Sequence, residues 1–139
     1  MNDASGFQGL HAELTETILG DFYKVANDLG FGFMESVYRR SLVIALRRSG
    51  LKVEEEVPIA VSYLGQSVGI FYADIVVEGK VVLELKVAGE ITRQFTAQLL
   101  HYLRSSQMEV GLVLVFGESA RSKRVVMTND RKPNLLTAL

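Results

Sequence analysis

The chain has no cysteine and only two histidines, His11 and His101, among its 139 residues. These absences exclude a disulfide framework, a thiolate zinc site and a cysteine nucleophile, and they leave too little imidazole for a histidine-rich metal centre. No apolar run approaches the roughly 20 residues of a membrane-spanning helix. Met1 to Gly6 lack the basic and apolar regions of a secretory signal. A soluble cytoplasmic protein is expected. Internal repeats, linkers and low-complexity segments are also lacking. A net charge of −1 argues against an indiscriminate basic coat for nucleic acid.

What remains is a globular composition, 48% apolar and 22% charged. The length suits one domain with its own core. Its ends, 1–10 and 129–139, show no strong pattern and are expected to be flexible. Charge is unevenly spread. Residues 1–35 are acidic, with Lys24 the only base. Arg39, Arg40, Arg47, Arg48 and Lys52 form a basic block, and Arg121, Lys123 and Arg124 another. Either block would suit phosphate contacts or ordinary solvation.

Leu14, Ile18, Phe22, Val25 and Leu29 share one helical face, which predicts a helix from Glu13 that stops near Gly30. A second is predicted from Phe33 to Ser49, closed by Gly50, with Glu35 in its first turn. Strands are expected at Leu51–Ser62, Val68–Val77 and Lys80–Val87. Pro58 has no donor, which suggests an edge position or a bulge. Thr92 is a plausible N-cap for a helix from Arg93 to Ser105. Val110–Phe116 reads as a buried strand and Arg124–Met127 as a short last one. Strand, helix and strand at this spacing suggest a crossover between parallel strands. The fold class is therefore α/β with an α+β-like start. A mixed sheet of about five strands, an antiparallel meander and then a parallel β-α-β crossover, is flanked by helices.

The stretch from Tyr72 to Lys86 is mostly apolar but carries Asp74, Glu84 and Lys86. Glu84 and Lys86 leave their strand on one face. Asp74 joins that face only if the intervening loop holds an odd number of residues or a bulge intervenes. A Val77-Glu78-Gly79 loop meets the condition, whereas a two-residue Glu78-Gly79 turn separates the carboxylates. Converging carboxylates need a cation between them, and with a nearby lysine they suit a hydrolytic Mg²⁺ site. A strand-end aspartate beside a solvated ion pair fits the same letters.

The string Gly32-Phe33-Met34-Glu35-Ser36-Val37-Tyr38 resembles the signature of the GxxExxY family, placed in the PD-(D/E)XK nuclease-like superfamily. Ala73-Asp74 and Glu84-Leu85-Lys86 are similar to its acidic and ExK positions. Ala97-Gln98 to Tyr102 resembles its following helix, and Val110 to Gly117 its buried strand. The resemblance covers about Glu13 to Met127. The chain departs from the family at Ala26, often histidine there, at Phe31, often proline, and at Phe95-Thr96, often His-Glu.

The resemblance implies a restriction-endonuclease-like core and a metal-dependent nuclease acting on DNA or RNA. Asp74 and Glu84 would bind Mg²⁺ or Mn²⁺, with the carbonyl of Leu85 and with Glu35 directly or through water. Lys86 would position the attacking water. Gln98 would orient Lys86 or a phosphate, and Tyr102 and Arg39 would support the site or the substrate. Tyr38 is expected to pack, and Gly32 to permit the turn between the first two helices. Two other readings stay open, a non-catalytic nucleic-acid-binding module and a protein-interaction domain. A homodimer through an exposed edge strand or the apolar tail (Leu135, Leu136, Leu139) is an equal alternative to those groups covering the monomer.

Overall fold

A computed structural model describes residues 9–132. The remaining ends, with Leu135, Leu136 and Leu139, lie outside the described residues. Helix α1 spans Ala12–Leu29, α2 Glu35–Arg48 and α3 Arg93–Arg104. The strands are β1 (Val53–Tyr63), β2 (Gln66–Val77), β3 (Val81–Val87), β4 (Val110–Phe116) and β5 (Arg121–Val126), and a 3-10 turn follows at Asn129–Arg131. They form one five-stranded sheet in the order β1-β2-β3-β4-β5. Only β3 and β4 run parallel, joined through α3; the other neighbours are antiparallel. None of the helices is long and apolar enough to cross a membrane among the described residues.

Burial explains the patterns. The apolar stripe of α1 places Ile18, Phe22 and Val25 on one sheet face, where Tyr38, Leu42 and Leu46 of α2 join them. On the other face Leu99, Tyr102 and Leu103 of α3 cover Val76, Val82, Val113 and Val115. Strands β3 and β4 lie between the two layers, so their apolar runs show little alternation. Pro58 lies in β1, which is an edge strand. Strand β5 begins three residues before the expected Arg124, because the ladder with β4 draws in Arg121, Ser122 and Lys123. These partly polar residues are tolerated at the opposite sheet edge.

The β2–β3 loop corrects one expectation and meets another. Val77 pairs with Val81, so the loop is Glu78-Gly79-Lys80 rather than Val77-Glu78-Gly79. Both Glu78 (φ 55°) and Gly79 (φ 63°) take left-handed conformations. The loop is still odd in length. Continuing the register places Asp74 opposite Glu84, on one face.

The β1–β2 ribbon bends beside that point. Pairing is interrupted at Glu56 and Asp74 but keeps its register on both sides, and Glu56 is left-handed (φ 50°). On the loop side of the bend Val53, Ile75 and Val77 pack under α1 and α2. On the far side Ile59, Phe71 and Ala73 pack with α3, and the Phe71 ring meets Tyr102 edge to face. Strand β2 therefore pairs with β3 only over Ile75–Val77, while β3 pairs with β4 over its whole length. Among the described residues, β3 has no strand partner on its β2 side from Glu84 to Val87.

The turn into α2 is equally determined. Gly30 (φ 75°) and Gly32 (φ 121°) adopt conformations that side chains rarely tolerate. The Tyr38 hydroxyl donates to the Gly30 carbonyl at 2.6 Å and accepts from the Phe33 amide at 3.3 Å. Its ring stacks on Phe116 at 4.2 Å. One side chain thus ties the turn to the sheet and fixes where α2 starts. Replacing Tyr38 with phenylalanine keeps the stack and removes both bonds. Urea unfolding should show a loss of about 1–2 kcal/mol; a midpoint unchanged from wild type would mean that the turn holds without the hydroxyl.

Candidate active site

Asp74, Glu84 and Lys86 meet where β2 leaves β3. Asp74 Oδ2 accepts the backbone N–H of Leu85 at 2.9 Å, taking a main-chain donor that has lost its strand partner. Glu84 is the only charged side chain in the buried core of the described residues, at 2% exposure. Its Oε2 lies 3.7 Å from Lys86 Nζ, an ion pair too long for a hydrogen bond. Its Oε1 is buried without a partner. Lys86 also stands over the Phe95 ring, 5.6 Å from its centroid.

The electrostatics follow from that burial. Loss of solvent pushes the Glu84 carboxyl up to about 8, and the Asp74 charge reinforces the shift. Lys86 opposes it without cancelling it. Burial also raises Asp74, against the Leu85 amide and the charges of Lys86 and Arg39. Glu35, the first residue of α2, is raised by desolvation and by Asp74. Three carboxyls thus share one negative field, with Lys86 and Arg39 as its cationic members. The Arg39 Nε is itself buried without a partner.

Helix α3 contributes from the other side. Gln98 Nε2 donates to the Tyr102 hydroxyl at 2.9 Å. Burial raises the Tyr102 phenol, and Glu84 adds to the shift. Gln98 therefore meets Tyr102; among the described residues it makes no hydrogen bond to Lys86, one of the two partners expected for it, the other being a phosphate. Leu85 engages Asp74 through its N–H, while its side chain lies in the α1–α2 core. Sequence reasoning missed two residues here. Glu56 adds to the negative field at Asp74 from its left-handed position in β1. The run Glu54-Glu55-Glu56 was its only signal. Phe95 supports Lys86, and its place at one of the departures from the family pattern had marked it.

Among the described residues, no three His, Cys, Asp or Glu side chains are already gathered to hold a metal ion. The pair Asp74 and Glu84 nevertheless suits a hard cation. Mg²⁺ is commonly held by one or two carboxylates, completed by water and substrate phosphate. The orphaned Glu84 Oε1 offers an oxygen donor that the protein itself leaves unused. A divalent cation would also offset the burial that raises both carboxyls and the Asp74 charge that adds to the shift at Glu84.

Because the folded-state value of Glu84 is raised, the folded protein binds more protons than the unfolded chain between about pH 4.5 and 8. Its contribution is favourable below that window and is lost as pH rises through it, by up to about 1.4 kcal/mol per pH unit. In chelator, Glu84→Gln should gain stability relative to wild type as pH rises through the window, and the gain should level off above it. A pH-independent difference in unfolding free energy would show that Glu84 ionises like an ordinary carboxylate.

The fold and the site have relatives. A family model described as the PD-(D/E)XK nuclease superfamily matches residues 12–126. No curated protein matches the chain. Among solved proteins, the crystal structure of SSO0001 is similar at a TM-score of 0.55 and 17% identity, over 92% of this chain and 62% of that one. At that identity the likeness concerns the fold alone, and this chain spans less than two thirds of that protein's length. The family model covers most of the chain, and the chain belongs to the PD-(D/E)XK nuclease superfamily.

Proposed function

We propose that this protein is a metal-dependent nuclease, a single nuclease-like domain that hydrolyses phosphodiester bonds of nucleic acid in the cytoplasm. The observation that carries the reading is the convergence of Asp74 and Glu84 on one face beside Lys86, with a buried Glu84 oxygen left without a partner. The Gly32-Glu35-Tyr38 signature supports a place with the GxxExxY proteins inside the superfamily.

Asp74 and Glu84 would hold Mg²⁺ or Mn²⁺, with the Leu85 carbonyl as a further oxygen. Such an ion, when bound, stabilises phosphate charge and acidifies water. The Leu85 amide keeps Asp74 oriented. Glu35, exposed at the start of α2, reaches the site through water. Lys86 donates to the attacking water and to a non-bridging phosphate oxygen, and the Phe95 ring steadies its ammonium. Arg39 offsets the negative field that would otherwise repel the substrate. Tyr102, held by Gln98, bounds the site on the α3 side.

The test is cleavage of single- and double-stranded DNA and RNA with Mg²⁺, Mn²⁺ or chelator, alongside Asp74→Ala and Lys86→Ala. Cleavage should require the cation and fall by at least about a hundredfold in either variant. Mn²⁺ should raise the melting temperature of wild type and not of Asp74→Ala. Variants that cut as well as wild type would overturn the assignment.

A further inference from the structure

Past the carboxyl ends of the parallel strands β3 and β4 lies a cavity of about 360 Å³. Open α/β sheets commonly receive ligands at this end of their parallel strands. Val87 and Gly89 form one wall; Val87 follows Lys86 in β3 and leaves the strand on the opposite face. Glu118, Ser119 and Arg121 form another, and Phe31 stands at the α1–α2 turn, four residues before Glu35. The floor is firm, because the Ala88 amide donates to the Phe116 carbonyl at 3.3 Å. Gly117 packs so closely on the Ala88 carbonyl that a side chain there would collide with it.

The chemistry of this cavity is not that of a phosphate site. It holds one acid and one base, Glu118 and Arg121, which make no ion pair with each other. Its apolar contribution is an aromatic ring that is 59% exposed and the aliphatic Val87 at 40%. An aromatic face, an aliphatic wall, a carboxylate acceptor and a guanidinium donor are the groups that recognise a nucleobase by its face and edge. The volume lies within the range of about 300–1,000 Å³ typical of small-ligand pockets. A base in a duplex is stacked on both faces, so only an unpaired base can offer a face to Phe31.

We infer that this cavity seats one unpaired nucleotide of single-stranded DNA or RNA, whose chain continues around the end of β3 toward Asp74, Glu84 and Lys86. Phe31 stacks on the base, Glu118 accepts from its N–H edge and Arg121 holds the base or its phosphate. The choice of nucleic acid as ligand rests on the nuclease reading. Seating the base here makes the enzyme select single strands or frayed ends.

The test is binding without cleavage. Oligonucleotides carrying one 2-aminopurine, as single-stranded DNA, single-stranded RNA and DNA duplex, are titrated in chelator with wild type, Phe31→Ala and Phe31→Trp. The expected result is tighter binding of single strands than of duplex, with emission rising as the base leaves its neighbours. Phe31→Ala should weaken that binding about tenfold and Phe31→Trp restore it. Equal affinity for duplex, indifference to Phe31→Ala in a protein with wild-type melting, or no binding to any probe would each overturn the inference. Because no metal is present, base seating without any cleavage in the Mg²⁺ assay would keep the cavity assignment and reject the nuclease.

Discussion

The hydrogen bond from the Leu85 amide to the Asp74 carboxylate replaces a rung of the sheet. Strand β2 must leave β3 so that its ribbon can fold over α3, and the departure strands the β3 main chain in a nearly dry region. A buried amide without an acceptor is costly. Asp74 supplies the acceptor from a side chain. The same departure makes room between the strands, and Glu84 and Lys86 project from the strand left open. Sheet closure and site formation are therefore one event, and Asp74 serves both.

That solution loads unfavourable charge into the core. Glu84 is almost wholly buried, its nearest cation is too distant to bond, and the Asp74 charge raises it further. An apolar residue there would fold more readily. Buried carboxyls of this kind, shifted by desolvation and by a like charge, are characteristic of functional sites. Glu56 adds its charge at Asp74 from a left-handed backbone position. The opposing layer is rigid. Tyr38 locks the glycine turn to Phe116, so Glu35 and Phe31 project from a fixed corner.

The sequence disclosed much of this because periodicity and parity are local. The α1 stripe ended at Gly30 as expected, Val110–Phe116 matched the buried strand, and Thr92 capped α3 by accepting from Phe95. The odd loop length was legible even though its residues were displaced by one. The ribbon bend at Glu56 was not legible, because it arises from long-range packing of Ile59 and Phe71 on α3 and leaves the strand alternation intact on each side. The neighbour of Gln98 was legible from helical spacing, but its hydrogen bond was not. Residues 98 and 102 are helical neighbours, but whether the amide turns to Tyr102 or toward β3 depends on how α3 sits on the sheet.

The three-residue connection Glu78-Gly79-Lys80 has an implication for how such a chain tolerates change. Surface loops usually accept insertions and deletions more readily than substitutions in the core. Here many side chains would serve at Lys80, yet adding or removing one residue, with the strands otherwise intact, would rotate Asp74 to the opposite face from Glu84. Every hydrophobic partner of β2 would be inverted with it. The loop is thus permissive in composition and strict in length. In this chain the spacing between two acids is stored as a count of residues in a solvent-facing turn.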